Sequence, residues 1–192
     1  MPLATPRQQW LVGLTLLCLL LLTRGQHFAT LNLPSASWAV YFVGGALLAS
    51  PLAFAGLFAG AVAMDFGLFS QGAVSDWCLT PAYWLLLPAY ASLWLGGRLY
   101  ARGHACQASA LWRLLCCVLG ASLVCHVLSS GGFYFFSGHF ADASLANWLP
   151  RIAEYYPRSL AAMSFYVCLA AVLYSLRQGL ALALASREQR WQ

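Results

Sequence analysis

One cysteine differs from the other six in its surroundings. Cys78 lies in a short polar break, SDWCLTPAYW at positions 75–84, between two long apolar runs. A thiolate is a soft metal ligand and a nucleophile, and its accessibility decides whether it reacts. Cys78 is therefore the first candidate for chemistry, and a small packed residue is the alternative interpretation.

The other cysteines lie in or beside apolar stretches that predict buried helix. None of the seven cysteines forms a C-x-x-C pair, so neither a disulfide framework nor a zinc site is indicated. We interpret the remaining six as small apolar residues in helix packing: Cys18, Cys106, Cys116, Cys117, Cys125 and Cys168.

Asp65 is an acidic residue inside an apolar stretch, AVAMDFG. An ionisable side chain within a membrane segment is a functional candidate by default. It can equally serve structure, as a carboxylate that is hydrogen-bonded to a neighbouring helix or to Arg24. Both interpretations stay open at the level of the sequence.

Three further side chains are candidates for ligand contact, namely His27, Tyr83 and Arg151. A lone histidine is more often a hydrogen-bonded interface residue, and a tyrosine can belong to an aromatic belt at the membrane surface. Arg151 can form a surface pair with Glu154, which contributes little stability. The sequence contains no G-x-S-x-G, H-E-x-x-H, P-loop or G-x-G-x-x-G motif.

The composition places these residues in a membrane protein. Of the 192 residues, 61% are hydrophobic and 8% are charged, whereas about a quarter are charged in soluble domains. The net charge of +5 comes from arginines scattered singly at predicted helix ends, without the basic stripe typical of nucleic-acid binding. We therefore expect a single-domain, all-α integral membrane protein in a lipid bilayer.

The apolar runs predict six membrane spans. The run 37–70 would form a helix of about 50 Å, too long for a hydrocarbon core of ~30 Å. We expect it to break at Ser50–Pro51, because the residue before a proline leaves the helical region. The segment 131–157 is expected to hold short helices at the membrane surface. The predicted spans are approximately 10–23, 37–50, 51–70, 81–97, 108–130 and 158–185.

Six spans place both termini on the same side of the membrane. With cytoplasmic termini, seven of the ten arginines fall on or near the cytoplasmic side, as the positive-inside rule requires. Arg24, Arg151 and Arg158 fall outside. The three longer connections then open to the outer face and predict an outward-facing cup: 24–36, 69–80 and 131–157.

This organisation resembles the S-components of energy-coupling-factor transporters, small membrane proteins that bind vitamins from outside. The shared features are six spans in fewer than 200 residues, a nearly absent connection between spans two and three, and a cup of three outer loops. The stretch DWCLTPAYW is similar to the BtuM family, the cobalamin-specific members. The resemblance implies a multi-pass protein of the bacterial inner membrane that binds cobalamin at its outer face and mediates its uptake.

The resemblance also implies roles for the candidate residues. Cys78 would be an axial ligand to the cobalt of base-off cobalamin, while His27, Asp65, Tyr83 and Arg151 would contact the corrin amides or the nucleotide arm. Cobalamin is then the bound substrate, and no other cofactor is expected. Because thiolate donation weakens the bond to the opposite axial ligand, cyanocobalamin is expected to lose cyanide in a step assisted by Cys78.

Partners and other functions stay open at this level. S-components often dock an energising module, a membrane T subunit with ATPases, through A-x-x-x-A on the first helix. Here that helix reads WLVGLTLLCLLLLT, which lacks the motif. The alternatives are an S-component for another vitamin, a membrane thiol oxidoreductase that uses Cys78 with Cys125 as its partner, and a subunit without a ligand.

Overall fold

A computed structural model of the protein describes residues 5–24, 34–70, 80–103 and 108–189, with the side chains of 108 and 181–189 left undescribed. The regular elements in these ranges are all helical, and no strand occurs among them. Helices suit an apolar chain because each helix satisfies its backbone N–H and C=O groups within one segment. The prediction of an all-α protein is confirmed for these ranges.

The described residues contain seven α-helices, one 3-10 turn and one π turn. A 3-10 turn leads directly into the fourth helix, and a π turn joins the fifth helix to the sixth. The elements are α1 (Pro6–Arg24), α2 (Ser37–Leu47), α3 (Pro51–Ser70), the 3-10 turn (Pro81–Leu85), α4 (Leu86–Arg102), α5 (Ala108–His126), the π turn (Val127–Gly131), α6 (Gly132–Phe136) and α7 (Leu145–Gln189).

The run 37–70 is divided at the proline that the sequence singles out. α2 ends at Leu47, Leu48 is extended, and α3 begins at Pro51. Proline suits a first helical position because its missing N–H would have no partner there. With 11 residues, α2 is about 16 Å long, much shorter than a hydrocarbon core of ~30 Å.

In the segment 131–157, the helices join their neighbours instead of standing apart as the separate short helices that were predicted, and their position at the membrane surface stays a prediction. The first part of the segment continues α5 through the π turn and α6 to Phe136, and its last part belongs to α7. α7 continues through Pro150 and Pro157 without ending. A proline inside a helix removes one hydrogen bond, and the helical residues on both sides can continue past it. The predicted ends of spans 108–130 and 158–185 therefore lie within longer helices.

Three helical stretches in the described ranges are long and apolar enough to cross a membrane. They are Pro51–Ser70, Ser109–Phe136 and Leu145–Leu180, and they overlap the third, fifth and sixth predicted spans. Large apolar side chains such as Leu52 and Trp10 are 78% and 74% exposed on the outer surface. These features are compatible with a membrane protein, whereas the six-span arrangement and the side of the termini stay predictions.

The packing of α2 against α4 forms the centre of the bundle. Two glycines allow the two backbones to approach. Gly45 lies against the main chain of Trp94, and Gly97 lies against the main chain of Phe42, so that a Cβ atom at either position would clash with backbone atoms. Glycine is therefore required at both positions for this packing.

The aromatic core extends from this contact toward one end of the bundle. The ring of Tyr41 stacks on the ring of Tyr90, with centroids 4.3 Å apart. Tyr41 is fully buried, and Tyr90 is 5% exposed. The stack fixes Tyr90 near the beginning of α4, where the candidate site lies.

Candidate functional site

An ion pair joins the end of α1 to α3. Arg24 Nε donates to Asp65 Oδ1 and Arg24 Nη2 donates to Asp65 Oδ2, each at 2.6 Å. The two side chains are 14% and 18% exposed. Two parallel charge-assisted hydrogen bonds between planar groups fix both position and orientation. The structural interpretation of Asp65, a carboxylate paired with Arg24, is thus confirmed.

Three neighbouring side chains extend this pair into a network. Tyr83 donates its hydroxyl to Asp65 Oδ2 at 2.8 Å. Arg24 Nη1 donates to Tyr90 Oη at 2.9 Å and to Ser37 Oγ at 3.3 Å. The network therefore ties α1, α2, α3, the 3-10 turn and α4 together at one end of the bundle.

The network forms part of the wall of a cavity of about 890 Å³. This volume lies within the range of about 300–1,000 Å³ that is usual for small-molecule sites. The cavity lies where residues at the ends of the three longer connections (24–36, 69–80 and 131–157) come together. Those residues are Thr23 and Pro34 around the first connection, Leu68 and Thr80 around the second, and Ser129 and Arg158 around the third.

The lining combines apolar surface with polar groups. Trp38, Leu86 and Phe133 supply rings and an aliphatic side chain. Thr80 also lines the cavity, and its Oγ1 atom is buried without a hydrogen-bond partner among the described residues. A buried polar atom without a partner costs about 1–3 kcal/mol, so this hydroxyl is a group that a bound ligand could satisfy.

Of the predicted site residues, Asp65 and Tyr83 meet in one network, whereas Arg151 lies elsewhere. Arg151 is not among the residues that line the cavity. Its guanidinium carbon lies 5.0 Å from the ring centre of Phe140, 5.7 Å from that of Tyr134 and 5.6 Å from that of Tyr155. These are cation–π distances. The alternative surface pair between Arg151 and a carboxylate is not formed among the described residues.

The structure adds residues to the site that the sequence does not single out for binding. Ser37 and Tyr90 complete the network, and Thr80 and Arg158 line the cavity. The sequence uses Arg158 only to orient the helices across the membrane. Its predicted place on the outer side of the membrane, together with Arg24, is the one sequence feature that could suggest a role at this site.

Cys78 and His27 lie outside the described residues. Among the described cysteines, Cys125 is fully buried in the core, as predicted. Its burial gives no support to the thiol oxidoreductase alternative, which needs an accessible partner for Cys78. Three cysteines lie on exposed helix faces, namely Cys18, Cys116 and Cys168. For these three the prediction of buried packing is wrong. An apolar outer surface accepts a cysteine side chain as readily as a core does.

Comparison with known proteins adds no family assignment. No protein-family model matches the chain, and no curated protein matches it at a significant level. Within the described ranges, no three His, Cys, Asp or Glu side chains lie together in a group that could hold a metal ion. The cavity and its network are therefore the features of the described residues that bear on function.

Proposed function

We propose that the protein is a multi-pass subunit of the bacterial inner membrane that binds cobalamin at its outer face and mediates its uptake, as S-components do. The observation that carries this proposal is the cavity of about 890 Å³ at the meeting point of the three longer connections. Cobalamin has a large corrin ring with apolar faces and many amide side chains. Such a ligand needs aromatic and aliphatic surface together with a few oriented polar groups, and the lining offers both.

The Arg24–Asp65 ion pair can lie beside the corrin ring, whose side chains are uncharged amides. Because the two charges neutralise each other, an amide can bind beside them without leaving a buried charge uncompensated. Asp65 accepts two hydrogen bonds from Arg24 and one from Tyr83. An ionised carboxylate has about four acceptor sites, so one of them stays open for an amide N–H of the ligand.

In this proposal the thiolate of Cys78 is the axial ligand to the cobalt of the bound substrate. Cys78 stands two residues before Thr80 in the sequence, and Thr80 lines the cavity. Two residues of chain span at most about 7 Å. His27 stands three residues after Arg24 and is proposed to contact the ligand from the first connection.

We propose that Arg151 contacts the nucleotide arm of cobalamin. It precedes Arg158 by seven residues on α7, which corresponds to about 10 Å along a helix. Contact with Arg151 therefore requires a ligand that extends beyond the cavity. The nucleotide arm of base-off cobalamin, released from the cobalt, is such an extension.

Coordination by Cys78 would also promote cyanide loss from cyanocobalamin. In the exchange, the thiolate sulfur forms a bond to cobalt(III), and the opposite cobalt–carbon bond breaks with its electron pair leaving on cyanide. No change of oxidation state is needed, and the released cyanide takes a proton from water. Stoichiometric cyanide release by the wild type, lost in Cys78→Ala, is the expected result; release that is equal in the two proteins would contradict this step.

The binding proposal is tested by titrating cobalamin into the purified full-length chain in detergent, for the wild type and for Asp65→Asn. The wild type is expected to bind, and the variant about 10-fold or more weakly, because a hydrogen bond to a charged group contributes about 1.5–3 kcal/mol. Arg98→Gln is the matched control. Its guanidinium donates to the carbonyl oxygen of Ala49 at 2.6 Å, away from the cavity.

Absence of cobalamin binding by the wild type would remove the proposal. Binding that Arg98→Gln weakens as much as Asp65→Asn does would show that the cavity is not the site. Uptake is tested separately with labelled cobalamin and proteoliposomes that contain only this chain. Accumulation there would show that an energising module is not required for transport.

A further inference from the structure

The cavity lining contains more positive than negative charge in the described ranges. Its charged side chains there are Arg24, Asp65 and Arg158. The first two form an ion pair, so their charges cancel. Among the described lining residues, no carboxylate is left to compensate Arg158, which faces the same space.

The two arginines differ in the use of their donors. Each nitrogen of the Arg24 guanidinium already donates, to Asp65 through Nε and Nη2 and to Tyr90 and Ser37 through Nη1. Arg158 forms neither an ion pair nor a hydrogen bond with any residue in the described ranges. As far as the described part of the chain shows, the guanidinium N–H groups of Arg158 are therefore available to a ligand.

The neighbouring hydroxyls do not supply competing donors. Ser129 and Ser159 both line the cavity, yet Ser129 donates to the carbonyl oxygen of Cys125 at 2.8 Å and Ser159 to that of Tyr155 at 3.3 Å. Each hydroxyl has one hydrogen to donate. Arg158 thus supplies the free N–H donors on this side of the lining.

The position of Arg158 on α7 is set by the packing of that helix. Ser159 and Ala162 line the cavity with it, and residues three and four apart share one helix face. One turn further along, Tyr166 donates its hydroxyl to the carbonyl oxygen of Pro34 at 2.8 Å. This face of α7 is therefore directed toward the cavity and the beginning of α2, away from the apolar outer surface.

We infer that Arg158 recognises an anionic group of the ligand, a phosphate ester or a carboxylate. The planar guanidinium fork matches both anions with two parallel hydrogen bonds. An ionisable residue that faces a cavity in a membrane bundle is a binding candidate on general grounds. The inference rests on the proposed function and deepens it: the ligand part bound by Arg158 is the phosphodiester of the nucleotide arm.

The test compares cobalamin with cobinamide, a corrinoid that lacks the nucleotide arm and its phosphate. Dissociation constants are measured for the wild type, Arg158→Gln and Arg158→Lys, purified in detergent without phospholipid. Arg158→Gln is expected to weaken cobalamin binding about 10- to 100-fold and to leave cobinamide binding unchanged. Arg158→Lys is expected to lie between, because an ammonium keeps the charge but loses the fork. Arg177→Gln, on the exposed part of α7, is the matched control.

Equal weakening of both corrinoids by Arg158→Gln would overturn the inference while leaving the proposed function in place. An effect that appears only when phospholipid is added would also overturn it, because Arg158 would then bind a lipid headgroup phosphate.

If the wild type binds neither corrinoid, the proposed function fails. The subsite is then decided by a titration with inorganic phosphate at constant ionic strength, followed by tryptophan fluorescence, since Trp38 lines the cavity. A saturable change that Arg158→Gln abolishes supports the subsite alone, and no change overturns it as well.

Discussion

The guanidinium of Arg24 and the carboxylate of Asp65 meet through two hydrogen bonds of 2.6 Å, across 41 positions of the sequence. This contact is the one ion pair among the residues that the structure describes. It also orients the hydroxyls of Tyr83 and Tyr90, so it determines the polar wall of the cavity. Removing either charge leaves the other without compensation.

Asp65→Asn and Arg24→Gln are each expected to lower the free energy of unfolding by about 1.5–3 kcal/mol, the contribution of hydrogen bonds to charged groups. The double variant is expected to lose less than the sum of the two, because each single change removes the same interaction. Thermal unfolding in detergent, followed by circular dichroism, measures all three proteins. Additive losses would contradict the coupling of the two residues.

Tyr83→Phe removes one hydroxyl and keeps the ring. Because the hydroxyl donates to the charged Asp65 at 2.8 Å, we expect a stability loss of about 1.5 kcal/mol, smaller than that of Asp65→Asn, which also breaks the ion pair. Tyr155→Phe, at a tyrosine that is 40% exposed, is the control and should be close to neutral. A loss for Tyr83→Phe that equals the loss for Asp65→Asn would mean that the tyrosine, and not Arg24, is the main partner of the carboxylate.

The close packing of α2 on α4 gives a second stability test. Gly45→Ala and Gly97→Ala place a methyl group against main-chain atoms of the facing helix, and overpacking of this kind costs about 1–3 kcal/mol or more. Gly120→Ala is the control, because no atom lies within 4 Å of the position that its methyl group would occupy. Alanine should stabilise a helix there by about 0.5–1 kcal/mol. Equal effects at the three positions would show that α2 and α4 are not in close contact.

Thr80→Val separates stability from binding at the cavity. The buried Oγ1 atom has no partner among the described residues, so replacing the hydroxyl by a methyl group should leave stability unchanged or raise it by about 1 kcal/mol. If the ligand uses this hydroxyl, cobalamin affinity falls several-fold in the same variant. Unfolding curves and titrations of one preparation give both values. A clear loss of stability would show that the hydroxyl already has a partner within the protein.

The helical class and the division of the run 37–70 can be predicted because they depend on local rules. A proline acts on its immediate neighbours, and an apolar chain favours helices because each helix satisfies its backbone hydrogen bonds within one segment. The pairing of Asp65 with Arg24 is only one of two alternatives in the sequence, since no sequence rule identifies contacts between residues 41 positions apart. For the same reason the sequence does not identify Arg158 as a lining residue, and it places Arg151 at the site although that side chain packs on aromatic rings.

After residue 130 the helices extend beyond the predicted spans 108–130 and 158–185, and the reason is different. A proline normally interrupts a helix, yet α7 continues through Pro150 and Pro157. The hydrogen bonds that proline removes are few compared with those of a 45-residue helix. The stability of the long helix on either side therefore outweighs the local breaking signals.

Cobalt coordination by Cys78 is the central claim, and an absorption spectrum tests it most directly. The purified wild type, Cys78→Ala and the core control Cys125→Ser are each incubated with cobalamin and freed of unbound ligand. We predict a retained chromophore whose spectrum is shifted in the wild type and in Cys125→Ser but not in Cys78→Ala. Identical spectra for the wild type and Cys78→Ala, or no retained chromophore in any of the three, would contradict it.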